Sequence, residues 1–166
     1  NDATVDAVRD IKAGDNTSFY RITKTRGSGP AVRVSMNDSM IFGYYGTPSY
    51  SSFNNLNYIN FLITVGLIAP NWEEATRWSI GLIDDPILSL FAAEKYVLTE
   101  DPAPYYAMPH YEFLKRYEPD YLFRNSLYLP LGLVFSSSVT EDLFAHLSSA
   151  EKSQTLLRVV VVPDSQ

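Results

Sequence analysis

The chain has 166 residues, a net charge of −6, 46% hydrophobic content and no cysteine. That length and composition suit one folded domain with its own core rather than a disordered segment. The acidic balance argues against nucleic acid and against electrostatic attachment to an anionic lipid leaflet. Absent cysteine excludes disulfides, thiolate metal sites and a cysteine nucleophile.

The sequence places a short helix over Thr4 to Lys12, with Val5, Val8 and Ile11 as its apolar stripe and Gly14 as its stop. Ser18 to Thr25 alternates as a strand. Gly27-Ser28-Gly29-Pro30 reads as a turn and Ala31 to Ser35 as the returning strand. Met40 to Phe53 is aromatic, glycine-rich and irregular. A helix follows from Leu56 to about Val65, capped by Asn54 or Asn55 and ended by Gly66.

Asn71 with Glu73 and Glu74 suggests a further helical start. Asp85-Pro86 is a cap followed by a first-turn proline, with Ile87, Leu88, Leu90 and Phe91 as the buried face. Lys95 to Thr99 reads as a strand, and Asp101 to Pro109 as a proline-rich loop. Tyr121 to Arg124 and Tyr128 to Ser136 look like paired strands joined at Asn125-Ser126, with Pro130 marking an edge. Thr140 opens a helix with Leu143, Phe144 and Leu147. Ser148 and Glu151 form a capping box for the next helix, and Arg158 to Val162 is a last strand. Helices and strands mix without a βαβ rhythm. The expected class is α+β: one compact domain with a small mixed or antiparallel sheet and several short helices.

Chemistry-bearing residues are few. No apolar run reaches the roughly 18 residues that span a bilayer, and no signal-peptide pattern opens the chain. His110 and His146 lack the neighbours of a triad. The acidic pairs Glu73-Glu74, Asp84-Asp85, Glu100-Asp101 and Glu141-Asp142 are adjacent in sequence, so their side chains diverge, and three of them sit where helix starts favour negative charge. A free-standing hydrolase therefore ranks last. No metal site and no cofactor is expected.

The aromatic content points elsewhere. Aromatic rings stack on the C–H faces of sugars while tyrosine hydroxyls bond sugar hydroxyls, and the chain has twelve tyrosines. Tyr44, Tyr45 and Tyr50 lie in a loop-like stretch beside Ser49, Ser51, Ser52, Asn54 and Asn55. Tyr44, Tyr45, Tyr50, Ser51, Ser52 and Asn55 are the glycan-binding candidates, although serines and asparagines before a helix commonly serve as caps. Lys95, beside Tyr96, stands in an apolar strand and must snorkel, pair or be used. A structural pair with Glu94, Glu112 or Glu118 is the expectation. Arg21 poses the same question in its own strand.

Four phrases carry a family resemblance: Phe19-Tyr20-Arg21-Ile22, the stretch Gly43 to Phe53, Asp85-Pro86 leading into Ala93-Glu94-Lys95-Tyr96-Val97-Leu98, and Leu129-Pro130-Leu131-Gly132. In this order they resemble the extracytoplasmic part of the YfhO-like bacterial membrane proteins, from about Phe19 to Val162. Where that family often has a glycine-containing turn before Lys-Tyr, this chain has Ala92, Ala93 and Glu94.

The resemblance implies that residues 1–166 form a single extracytoplasmic domain cut from a larger multi-pass protein of the bacterial cell membrane. That family is similar to glycosyltransferases of the cell envelope that use lipid-linked sugars. The implied partners are an envelope glycopolymer such as teichoic acid or a lipid-linked sugar, and the membrane-spanning remainder of the same chain. No catalytic residue is carried over, and nucleic acid is not among the partners. The alternative is a non-enzymatic glycan-binding or protein-docking module of an envelope assembly.

Overall fold

The computed structural model describes residues 3–27, 36–50, 54–70, 78–79, 81–82 and 85–164. The elements in chain order are α1 (Ala3–Gly14), β1 (Arg21–Lys24), α2 (Asp38–Phe42), β2 (Ser49–Tyr50), α3 (Leu56–Thr64), β3 (Trp78–Ser79), α4 (Pro86–Phe91) and β4 (Glu94–Thr99). They continue with α5 (Ala103–Ala107), β5 (Tyr111–Tyr117), β6 (Asp120–Asn125), β7 (Ser138–Thr140), α6 (Glu141–Ala145), α7 (Ser149–Leu156) and β8 (Val160–Val162).

The central sheet runs β1-β4-β6-β5. β1 is parallel to β4, and the other pairings are antiparallel. The fold is therefore α+β with a small mixed sheet, as the sequence implies. Side chains alternate across a strand, so β6 sends Leu122 to one face and Phe123 to the other. Leu122 joins Ile22, Tyr96, Leu98 and Tyr117 beneath Ala7, Val8 and Ile11 of α1. On the opposite face Phe123 stacks with Tyr105 and meets Tyr106 edge to face, both of α5, at 5.4 and 5.1 Å between ring centroids. A second core joins α3 and α4 through Ile59, Leu62, Val65, Leu82 and Leu88.

Local signals account for the helix ends. Asn55 accepts hydrogen bonds from the N–H groups of Asn57 and Tyr58, and Asp85 from those of Ile87 and Leu88. Ser148 and Glu151 make the reciprocal capping box that starts α7. Asp85 also accepts from Ser153 at 2.6 Å, which ties α7 to the head of α4.

Several expectations are corrected. Val5 is exposed, and Thr4, Ala7, Val8 and Ile11 form the buried stripe of α1. In α4 Leu88 and Ser89 are the buried residues, while Ile87, Leu90 and Phe91 are half-buried. The proline-rich loop contains α5, because Pro102 and Pro104 occupy the cap and first turn, where no N–H is needed. The partners of β6 are β4 and β5, both earlier in the chain; residues 128–136 hold no strand, and most are exposed. The irregular stretch after Met40 holds the end of α2, which Gly43 closes at φ 68°, and then β2. The expected turn residues at 28–30, the strand Ala31 to Ser35 and the helical start at Asn71, Glu73 and Glu74 lie outside the described residues.

Candidate functional site

The site begins with an irregularity in the β1–β4 ladder. Arg21 pairs with Glu94, but the next residue, Ile22, pairs with Tyr96, so Lys95 is an extra residue on β4. Such a bulge re-aims side chains that would otherwise point to opposite faces. Lys95 and Tyr96 consequently reach the same carboxylate. Lys95 Nζ lies 2.8 Å from Asp15 Oδ2, and the Tyr96 hydroxyl donates to the same oxygen at 2.9 Å.

Asp15 is fixed from its own side. Its N–H continues α1 by bonding Ile11 O, and its Oδ1 accepts the N–H of Thr17 at 2.9 Å, turning the chain toward β1. Lys95 also donates to the Thr17 hydroxyl at 2.7 Å. The rings of Tyr20, Tyr96 and Tyr128 surround the ammonium at 5.8, 5.8 and 5.2 Å.

Burial alone would raise the Asp15 pKa, but hydrogen bonds from Lys95, Thr17 and Tyr96 outweigh it and hold the carboxyl well below the usual carboxylate range. Tyr96 is pushed up, first by burial and then by its bond to Asp15. Burial and the Asp15 charge also raise Tyr20 and Tyr128. Asp15, held as a carboxylate against Lys95 and the neutral Tyr96 hydroxyl, forms with Thr17 a fixed floor.

Above this floor opens a cleft of about 570 Å³ between the end of α1, the 17–20 segment and the α2–β2 connection. Phe19 and Tyr45 form one wall, with ring centroids 4.9 Å apart. Tyr20 and Tyr44 line the cleft beside the hydroxyl-bearing Thr17, Ser18 and Ser39. Lys12 sits at its edge and donates to Gly43 O. Two ion pairs anchor β1 and the residues just after it. Lys24 of β1 pairs with Asp38 of α2 at 2.8 Å, both nearly without solvent contact. Arg26 grips buried Asp120 with two hydrogen bonds of 2.7 and 2.9 Å.

The candidates named from sequence divide into groups. Tyr44 and Tyr45 line the cleft, while Lys95 and Tyr96 lie behind its lining and hold Asp15, which is part of it. Arg21 stacks over Phe19 at 5.0 Å and donates to Ala92 O, so it braces the wall from behind. Tyr50 is elsewhere, paired with Trp78 across β2 and β3, and Asn55 is the cap of α3. Ser51 and Ser52 lie outside the described residues.

The expected partners of Lys95 are otherwise engaged. Glu112 pairs with Arg124 and Glu118 with Arg116. Glu94 is buried and accepts from Thr47, and burial raises its pKa. Sequence reading missed Asp15, Thr17, Phe19, Tyr20 and Tyr128 as site residues. An aspartate two residues before a threonine after a helix is a weak local signal that any Asx turn would share. Among the described residues no cluster of three or more histidine or acidic side chains converges as a metal site requires.

The family described as bacterial membrane protein YfhO matches residues 1–166, the whole chain. The chain belongs to this family. No curated protein and no solved structure matches it. Among the described residues of this YfhO-family chain no helix is long and apolar enough to cross a membrane.

Proposed function

We propose that this chain is the extracytoplasmic domain of a YfhO-family membrane protein. Its cleft would hold a cell-envelope polymer as acceptor while a sugar is transferred from a polyprenyl-phosphate carrier. The observation that carries this reading is the aromatic wall of Phe19 and Tyr45 in one open cleft with the hydroxyl-bearing Thr17, Ser18 and Ser39. Stacked aromatic rings and fixed hydroxyls are the two contacts a sugar ring needs.

The role is binding rather than bond-making. Asp15 is engaged by Lys95, Thr17 and Tyr96, and its lowered pKa makes it a poor proton acceptor near neutrality. Lys12 at the edge suits an anionic polymer such as teichoic acid, which the negative chain would otherwise repel.

Calorimetric titration with teichoic-acid fragments tests this. Tyr45 is 64% exposed. Tyr45→Ala should therefore weaken binding by about tenfold, the worth of one stacked ring, and leave the melting temperature nearly unchanged. Equal affinity of the two proteins would remove the cleft from the account.

A further inference from the structure

Beyond the cleft, the longest feature without a role is the segment between Arg124 and Glu141. It carries no charged residue, and its centre reads Leu127-Tyr128-Leu129-Pro130-Leu131-Gly132-Leu133-Val134-Phe135. The sequence suggests an edge strand over Tyr128 to Ser136, yet residues 126–137 hold no regular secondary structure, and Leu127, Leu131, Leu133 and Val134 are exposed while Leu129 and Phe135 are half-buried. Leu127 is 53% exposed, Leu131 59% and Val134 fully exposed. Scattered surface leucines are ordinary, but a contiguous uncharged apolar run at this exposure marks a contact surface.

We propose that this segment rests on the apolar–polar boundary of the lipid bilayer, with Leu131, Leu133 and Val134 inserted among the lipids. Three observations choose lipid as the occupant. The chain belongs to a bacterial membrane protein family. A chain of net charge −6 has no electrostatic attraction to anionic headgroups, so contact must come from an uncharged apolar segment such as this one. The exposed serines at 136–138 follow the leucines, small polar groups where headgroups would lie.

The placement has a consequence for the cleft, although the inference does not depend on glycan binding. Tyr128 donates to Phe19 O, and its ring lies 5.2 Å from Lys95 Nζ. The root of the segment is thus tied to Phe19, which lines the cleft, and seating the segment on a bilayer brings the cleft to the membrane surface.

The chain lacks cysteine, so a single introduced thiol can carry an environment-sensitive NBD fluorophore. Val134→Cys and, as control, the exposed Ala103→Cys on α5 are labelled. Each chain is tethered by an N-terminal histidine tag to phosphatidylcholine vesicles containing a nickel-chelating lipid. The label at 134 should brighten several-fold, shift to the blue and be quenched by doxyl lipids, while the label at 103 stays unchanged. Leu131→Ser should reduce the inserted fraction about tenfold. Replacing part of the phosphatidylcholine by phosphatidylglycerol should not strengthen insertion. Unchanged emission at 134, or an equal response at 103, would overturn the proposal and assign the segment to a protein surface.

Discussion

Lys95 Nζ lies 2.8 Å from Asp15 Oδ2, joining the bulge in β4 to the residue that follows α1. Both side chains are largely withdrawn from water, with 16% and 10% of their surface exposed. Removing one partner therefore strands the other. Asp15→Asn or Lys95→Met should each cost about 2 kcal/mol, between the values for exposed and fully buried pairs. The double variant should cost clearly less than the sum, which a double-mutant cycle in urea would measure. Strict additivity would mean that the pair is not coupled.

The Asp15 carboxyl titrates below its ordinary value of 3.8 in the folded chain. A depressed carboxyl contributes stability that is complete above the unfolded value and is lost as pH falls through the folded one. Melting temperatures followed from neutral pH downward should therefore begin to lose this contribution below about pH 3.8, and Asp15→Asn should lack that component of the acid loss.

Glu94 has the opposite sign. Burial raises its pKa above 4.5, so the stability linked to its protonated form is present below that value and is lost as pH rises through the folded pKa. Glu94→Gln keeps an oxygen to accept the Thr47 bond and removes the buried charge. It should melt higher than the parent at neutral pH, with the advantage vanishing below about pH 4.5.

Ala93 occupies the left-handed region at φ 55°. It is fully buried, so Ala93→Gly loses about 0.8 kcal/mol of methyl burial and regains about 1 kcal/mol of backbone strain. The expected net change is close to zero. Ala93→Val, β-branched in the same conformation, should cost about 2 kcal/mol or more. Chemical denaturation of the two variants separates strain from packing.

Where the sequence was explicit, its signals were local. Asn55, Asp85-Pro86 and Ser148 with Glu151 announce helix starts within four residues, and each helix begins there. β5 was invisible because Glu112, Lys115 and Arg116 interrupt it and a register shift between Phe113 and Lys115 breaks the alternation. The run after Tyr128 has strand composition but no strand neighbour, and composition cannot supply one. The site followed the same rule. Lys95-Tyr96 was conspicuous in its strand, and its partner Asp15 was not, since only the parallel pairing of β1 with β4 brings the end of α1 to the bulge.

On the proposed reading, envelope glycopolymer binds in the cleft between residues 17–20 and Gly43 to Tyr45. The direct measurement follows the amide NMR signals of the isotopically labelled chain during titration with teichoic-acid fragments. The account predicts saturable shifts at Thr17, Ser18, Phe19, Tyr20, Tyr44 and Tyr45, with Tyr50 and Asn55 unaffected. No shifts at millimolar ligand, or shifts confined to Tyr50 and Asn55, would contradict it.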